Sequence, residues 1–239
     1  MERSLSSVMV AEAYGTFLLT FIGATSITIA NDAALFSAGP TLGLGFVGLA
    51  FGFALLAGIA SVGAISGAHF NPAVTISVFS SGRLPRKRVP VYIVAQFIGA
   101  TIAAVVELAL VGMSAASIPG VDLGSNLPNG SLPMPVFAAV LAEIVGTMIL
   151  AMTVLGSTDP DSSSIPWASS GIGVVLAAII WALAPISGAS LNPARSFGPA
   201  IVSLLFDSAP ILNYWIYVVG PILGGLLAAQ LYKLMFKRV

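Results

Sequence analysis

The stretch SGAHFNPAVT at residues 66–75 returns as SGASLNPARS at residues 187–196. In each copy an asparagine, Asn71 or Asn192, precedes a proline. This order is typical of a helix start, because asparagine caps the first turn and proline tolerates the first helical position. The first of these helices would end at about residue 80 and would measure about 15 Å, half of the ~30 Å hydrocarbon core of a bilayer. The stretch therefore predicts a half-helix that can enter a membrane but cannot cross it.

The composition of the chain supports a membrane environment. Of the 239 residues, 57% are hydrophobic and only 8% are charged, and the mean hydropathy is +1.02, whereas soluble domains carry about a quarter charged residues. Nine basic and nine acidic side chains cancel, which gives no electrostatic signal for a nucleic-acid partner. With no cysteine and one histidine in the chain, we expect no metal and no cofactor.

Six apolar runs are long enough to cross a bilayer, which takes about 20 residues. They are predicted at 8–30, 43–63, 90–112, 134–156, 168–186 and 211–234. The first is not predicted to be a cleaved signal peptide, because no basic cluster precedes it and Glu12 interrupts its apolar stretch. The expected fold class is an all-α membrane protein with six transmembrane helices and two re-entrant half-helices, in one transmembrane domain that spans residues 1–239.

The distribution of basic residues predicts the orientation of the spans. Outside the repeated motif they fall at the N-terminus, between the second and third spans, and at the C-terminus: Arg3, Arg83, Arg86, Lys87, Arg88, Lys233, Lys237 and Arg238. With six spans these three segments share one face, and basic residues are enriched on the cytoplasmic face. We therefore expect both termini to be cytoplasmic, in a multi-pass protein of the cell (plasma) membrane. The segments at 31–42 and 113–133, which contain no lysine or arginine, are expected to be external loops.

The duplication extends beyond the motif, since Glu12 in the first span has a counterpart in Glu143 in the fourth. The two halves, approximately 1–113 and 134–239, therefore share one plan of three spans each. Because three is odd, the second half must be inverted in the membrane relative to the first, and inverted repeats place a functional site near the midplane. We expect the half-helices to enter from opposite faces and to meet tip to tip, which is tolerated only where the backbone is buried in protein or lines water.

Two Asn-Pro-Ala motifs in an inverted six-span repeat resemble the aquaporin and glycerol-facilitator family, the major intrinsic proteins. The motifs consist of Asn71, Pro72, Ala73, Asn192, Pro193 and Ala194, and the resemblance covers nearly the whole chain. It implies a passive channel for water or other small neutral solutes that excludes protons and ions, with the motifs at the pore centre. It also implies a homotetramer in the lipid bilayer with one pore in each subunit. We expect the asparagine amides to cap the half-helices through oxygen and to donate N–H groups into the lumen.

The same resemblance implies which residues form the narrowest part of the pore. Counted from the two motifs, the selectivity filter consists of Phe51, Ile180, Ala189 and Arg195. Strict water channels usually have histidine at the position of Ile180, and glycerol facilitators usually combine two aromatic residues with a glycine. The set most resembles the filter of archaeal aquaporins. It implies conduction of water, with glycerol or another small neutral solute as a second permeant.

The remaining candidates are polar side chains within apolar surroundings. Glu12 and Glu143 are expected to support the re-entrant loops by accepting backbone N–H bonds, since their symmetry favours this role over direct contact with a solute. His69 either lines the cytoplasmic vestibule or satisfies loop carbonyls. Glu107 has no counterpart in the second half, and we expect it to pair near a span end or at a subunit contact.

Other classes of function are weighed against the channel. An enzyme is not expected, because the sequence offers no nucleophile with a base and no constellation of carboxylates at matched spacing. Two alternatives stay open: a facilitator whose main role is to pass glycerol or another small solute, and a structural or junctional membrane protein with little permeability. The external segments are short, and their charged residues are Asp32 and Asp122, which does not favour an adhesive role.

Overall fold

The structure, a computed structural model, describes residues 3–31, 39–118, 121–162 and 168–236. The α-helices in this part of the chain are α1 (Leu5–Asn31), α2 (Gly39–Ser66), α3 (Pro72–Ser80), α4 (Val89–Ala116), α5 (Pro135–Ser157), α6 (Ala168–Ser187), α7 (Pro193–Ser203), α8 (Ala209–Asn213) and α9 (Ile216–Met235). Six helical segments are long and apolar enough to cross a membrane: Leu5–Asn31, Gly43–Ser66, Arg86–Ala116, Pro135–Ser157, Ser170–Ser187 and Ala209–Met235. The six spans predicted from hydropathy are confirmed.

The two half-helices predicted from the repeated motif are α3 and α7. They contain 9 and 11 residues, so each measures about 14–17 Å and cannot cross the ~30 Å hydrocarbon core. In each, the N-cap asparagine has extended backbone angles and the next residue, proline, begins the helix. The fold class of six spans with two re-entrant half-helices is confirmed.

Glycines allow the spanning helices of each half to pack closely. Helix α1 packs against α4, and α5 packs against α9. A Cβ atom at Gly99 on α4 would lie 2.2 Å from the carbonyl oxygen of Ala13, and one at Gly224 on α9 would lie 2.3 Å from that of Ile144. Any side chain at either position would force the helices apart, so small residues set these crossings.

Residues 121–126, in the predicted external loop between α4 and α5, turn inward and are mostly buried. Helix α4 continues to Ala116, and a 3₁₀ turn at Asp122–Gly124 then packs against α1 and α7. Leu123 is fully buried there, and burial of its apolar side chain favours the inward path. This turn delivers the residues that follow it to the centre of the protein.

The structure pairs Glu107 with a residue of the same subunit. The residue lies within α4 and is fully buried. Its Oε1 accepts a hydrogen bond of 2.6 Å from the hydroxyl of Thr28 on α1. Thr28 lies three residues before the end of α1, which agrees with the predicted pairing near a span end, whereas the full burial of Glu107 within one subunit contradicts the alternative of a subunit contact. A buried carboxyl group needs a hydrogen-bond donor, and a helix–helix contact within the subunit supplies it.

Contacts between the described basic residues place their segments together. Arg88 donates a hydrogen bond of 3.1 Å to the carbonyl of Arg3, and Arg83 donates one of 2.6 Å to the carbonyl of Thr158. The N-terminus, the connection before α4 and the end of α5 therefore share one face of the bundle. Three other charged residues of the predicted loops and C-terminus lie outside the described residues: Asp32, Lys237 and Arg238.

Candidate functional site

A short loop of the same unusual conformation precedes each half-helix. Positive φ angles occur at matching positions of the two loops: Gly67, Ala68, Phe70, Gly188, Ala189 and Leu191. The left-handed region costs about 1–2 kcal/mol for each residue other than glycine. Such a backbone persists only where the surrounding structure holds it.

The first loop is held by Glu12 from α1. Its Oε1 accepts a hydrogen bond of 3.0 Å from the backbone N–H of His69, and its Oε2 accepts one of 2.8 Å from that of Phe70. Gln96 on α4 also donates to Oε2, at 2.8 Å. Gly15, one turn further along α1, leaves space for the Phe70 ring, which would lie 1.9 Å from a Cβ atom there.

Glu143 on α5 holds the second loop in the same way. Its Oε1 accepts hydrogen bonds from the backbone N–H of Ser190 at 2.9 Å and from the Ser187 hydroxyl at 2.8 Å. Its Oε2 accepts a bond of 2.7 Å from the backbone N–H of Leu191. Both carboxylates are fully buried, and each satisfies two loop N–H groups that would otherwise be buried without a partner.

Two tyrosines at matching positions of the halves fix the start of each loop. The hydroxyl of Tyr92 donates to the carbonyl of Ser66 at 2.5 Å, and that of Tyr217 donates to the carbonyl of Ser187 at 2.7 Å. The motifs do not contain these tyrosines. The repeat could have revealed them, because each follows its motif at a corresponding place on the next long helix.

The asparagines of the two motifs cap the half-helices. Oδ1 of Asn71 accepts a hydrogen bond of 2.8 Å from the backbone N–H of Ala73. Oδ1 of Asn192 accepts bonds from the backbone N–H groups of Ala194 at 3.0 Å and Arg195 at 3.2 Å. The oxygens therefore satisfy first-turn donors, as expected for an N-cap.

The amide nitrogens of the same asparagines join the two halves. Nδ2 of Asn71 donates to the carbonyl of Leu191 at 2.7 Å, and Nδ2 of Asn192 donates to the carbonyl of Phe70 at 2.8 Å. The half-helices thus meet at their N-termini, each tied to the loop of the other. Since an amide NH₂ group carries two hydrogens, one N–H of each asparagine is left for another acceptor.

A narrow cavity passes the point where the half-helices meet. This central cavity is lined by both motif asparagines, Asn71 and Asn192, and has a volume of about 60 Å³. At about 10–15 Å³ for each enclosed water centre, it holds about four to six waters. The volume suits a short file of small molecules.

Wider cavities adjoin the central cavity at both ends. The wide vestibule, of about 440 Å³, shares Phe51 and Ile180 with it. The basic vestibule, of about 290 Å³, shares His69 with it and is also lined by Arg83 and Arg88. The central cavity, the smallest of the three, thus shares lining residues with both vestibules.

All four predicted filter residues line the central cavity. Phe51 comes from α2, Ile180 from α6, Ala189 from the second loop and Arg195 from α7. The Arg195 guanidinium carbon lies 4.9 Å from the centroid of the Phe51 ring, within the range of a cation–π contact. These four side chains are called the constriction below. It presents one charged side chain and three apolar ones.

His69 lies where the central cavity meets the basic vestibule. Its Nδ1 is 3.1 Å from the Thr75 hydroxyl, and its ring centroid is 4.6 Å from that of Tyr92. Of its two predicted positions, the structure places it in the vestibule wall. Among the described residues there is no group of three or more histidine, aspartate or glutamate side chains that could hold a metal ion.

Two half-helices that meet tip to tip in a narrow passage, enclosed by six membrane-spanning helices, define a membrane channel. The sequence pattern of the major intrinsic protein family matches residues 2–232, and the chain belongs to this family. The family resemblance inferred from the two motifs is thereby confirmed.

The curated relatives include archaeal and bacterial aquaporins. Aquaporin AqpM of Methanothermobacter marburgensis is 39% identical over 96% of this chain and 97% of its own length. The probable aquaporin AqpM of Archaeoglobus fulgidus is 40% identical over 99% and 100%, and aquaporin Z of Photorhabdus laumondii is 37% identical over 95% and 96%. The X-ray structure of the aquaglyceroporin from Plasmodium falciparum matches with a TM-score of 0.83 and 25% identity over 98% of both chains.

Proposed function

We propose that this chain is a passive water channel that also admits glycerol or another small neutral solute and excludes protons and ions. The observation that carries the proposal is the central cavity of about 60 Å³ between two wider vestibules. Relatives named as aquaporins support water as the permeant, and the similar aquaglyceroporin structure supports glycerol. The protein forms a path and catalyses no reaction.

The constriction selects by width and charge. Phe51 and Ile180 set its width, while Ala189 leaves space on the third side. Arg195 supplies a positive charge and an N–H donor in a site that is almost fully enclosed. A cation entering there meets repulsion and loses hydration, whereas neutral water does neither, which is how pore linings exclude ions.

The remaining site residues hold this geometry. Glu12 and Glu143 fix the loops, and the carboxylates themselves do not line the central cavity. Asn71 and Asn192 join the half-helices and keep one N–H each for a passing oxygen. His69 lines the junction of the central cavity and the basic vestibule.

The proposal extends to the assembled protein. We place it in the cell membrane as a homotetramer with one pore in each subunit and with both termini cytoplasmic. The basic segments around Arg3 and Arg83–Arg88, which share one face, support this orientation. The domain covers residues 1–239, with inverted repeats at about 1–113 and 134–239.

Stopped-flow light scattering of proteoliposomes tests the proposed function. An osmotic gradient of an impermeant sugar should shrink vesicles containing the protein at least about tenfold faster than empty vesicles of equal size, because a lumenal path replaces diffusion through lipid. A glycerol gradient should then give slower, measurable re-swelling. Rates no higher than those of empty vesicles, at verified incorporation, would favour the junctional alternative. Glycerol permeability that matches or exceeds water permeability would make the solute the main permeant.

Replacing Ile180 with histidine should shift selectivity towards water. The imidazole adds a rigid ring and an N–H donor to the wall that Ile180 now forms. Glycerol permeability should fall about tenfold and water permeability about twofold, since steric discrimination is largest for the bulkier permeant. Paired water and glycerol fluxes of Ile180→His provide the measurement. Ile180→Leu, an apolar change of equal size, is the control. Equal losses of water and glycerol flux in Ile180→His would show that Ile180 does not determine which solute passes.

A further inference from the structure

The filter arginine is held on two sides by different contacts. Arg195 is only 2% exposed. Its Nη1 donates a hydrogen bond of 2.5 Å to Oδ1 of Asn126, and its guanidinium carbon faces the Phe51 ring at 4.9 Å. Its Nη2 has no hydrogen-bond partner among the described residues. The guanidinium therefore has one terminal nitrogen bonded to Asn126 and one that is buried without a hydrogen bond.

Asn126 can present only its oxygen to the arginine. Its Nδ2 donates a hydrogen bond of 3.0 Å to the carbonyl of Gly188, which occupies the nitrogen side of the amide. Its Oδ1 accepts a second bond, of 3.0 Å, from the hydroxyl of Ser196. Because an amide has its acceptor and its donor at opposite ends, these partners fix its orientation. The side chain is 3% exposed and lies between the second loop and α7.

We propose that Asn126 is a positioning residue of the constriction, a role that rests on the proposed channel function. Its amide oxygen holds Nη1 of Arg195 and thereby fixes the guanidinium in the wall of the central cavity. Asn126 reaches this place because the 3₁₀ turn at Asp122–Gly124 directs the chain inward. A neutral acceptor is needed there, since it holds the guanidinium without cancelling the positive charge that repels cations.

Removing the amide should release the arginine. In Asn126→Ala, Arg195 loses its hydrogen-bonded anchor and turns into a lumen that is only a few waters wide. Water permeability should fall about tenfold, in proportion to the loss of a hydrogen bond to a charged group. The measurement is osmotic shrinkage of proteoliposomes at equal, quantified incorporation, relative to the unmodified chain.

Replacing the amide with a carboxylate separates positioning of Arg195 from support of the loop. Asn126→Asp keeps an oxygen for Nη1 but, like Asn126→Ala, loses the bond to Gly188. Water permeability should return to within about twofold of the unmodified chain, because the acceptor is restored. Sodium permeability should rise about tenfold, because the carboxylate cancels the guanidinium charge. If Asn126 only supported the loop, both variants would lose water permeability equally, because both lose the bond to Gly188.

Asn129 offers a matched control in the same segment. Its Nδ2 donates a hydrogen bond of 2.8 Å to the carbonyl of Pro185, but the residue is only partly buried and none of its side-chain hydrogen bonds goes to Arg195. Asn129→Ala should keep the water and sodium permeabilities of the unmodified chain. Conduction by the unmodified chain tests the proposed function separately. If the unmodified chain conducts water, either of two results would overturn the role of Asn126. One is an Asn126→Ala channel that conducts water at the unmodified rate. The other is an equal loss of water permeability in Asn126→Ala and Asn126→Asp.

Discussion

Mercuric ion should leave the unmodified channel open and should block an Ala189→Cys variant almost completely. The chain contains no cysteine, and soft metal ions bind thiolates far more tightly than the side chains present here. Ala189 lines the central cavity together with the other constriction side chains. A mercury atom bound there occupies space that holds only a few waters, so water permeability should fall at least about tenfold. Stopped-flow rates before and after mercuric chloride, and after added thiol, measure the block and its reversal.

A cysteine placed away from the lumen controls for mercury binding itself. Ser131 is exposed, lies in the segment before α5 and lines none of the three cavities of the path. Ser131→Cys should bind mercury, as thiol titration would show, and should conduct water at the unmodified rate. An Ala189→Cys channel that conducts water and binds mercury without any block would place Ala189 outside the lumen and would contradict the proposed constriction.

Features that repeat in the sequence were accessible without the structure. The order Asn-Pro sets the start of α3 and α7 through local capping and backbone restriction, so a short stretch of sequence is sufficient to predict it. Glu12 and Glu143 were predicted to accept loop N–H groups because both halves need the same support, and the structure shows those hydrogen bonds. The roles of the constriction residues stay predictions, although the structure brings their side chains together.

Features that occur once were not accessible in the same way. Asn126 has no counterpart in the first half and lies in a segment without helical or strand periodicity, so no pattern relates it to Arg195. Its position depends on the inward turn after α4, which results from packing between distant segments. The partner of Glu107 could not be named from the sequence for the same reason, because Thr28 is on another helix. Tertiary contacts between unrelated segments, and not local propensity, determine both positions.

Replacing Asn192 with aspartate should convert the water channel into one that leaks cations. Each half-helix N-terminus carries roughly half a positive charge. A cation about 5 Å from the two ends, at an effective dielectric constant of about 20, meets a barrier of about 3 kcal/mol. Asn192→Asp keeps an oxygen for the backbone N–H groups of Ala194 and Arg195, but it places a negative charge beside the helix end. One negative charge cancels the two half charges of the helix ends, so the barrier of about 3 kcal/mol should largely disappear and sodium permeability should rise about a hundredfold.

The charge acts only when the carboxyl group is deprotonated, so the leak of Asn192→Asp should increase as the pH of the vesicle suspension rises. Sodium flux and osmotic water flux measured on the same vesicles provide the comparison, and water permeability should stay within about threefold because the width is unchanged. Asn192→Ser is the matched control: like aspartate it retains a capping oxygen and loses the amide bond to Phe70, but it adds no charge. It should conduct water and exclude sodium at every pH. If Asn192→Asp conducts water and remains impermeable to sodium even at high pH, Arg195 carries the cation barrier and the paired helix ends contribute little to it.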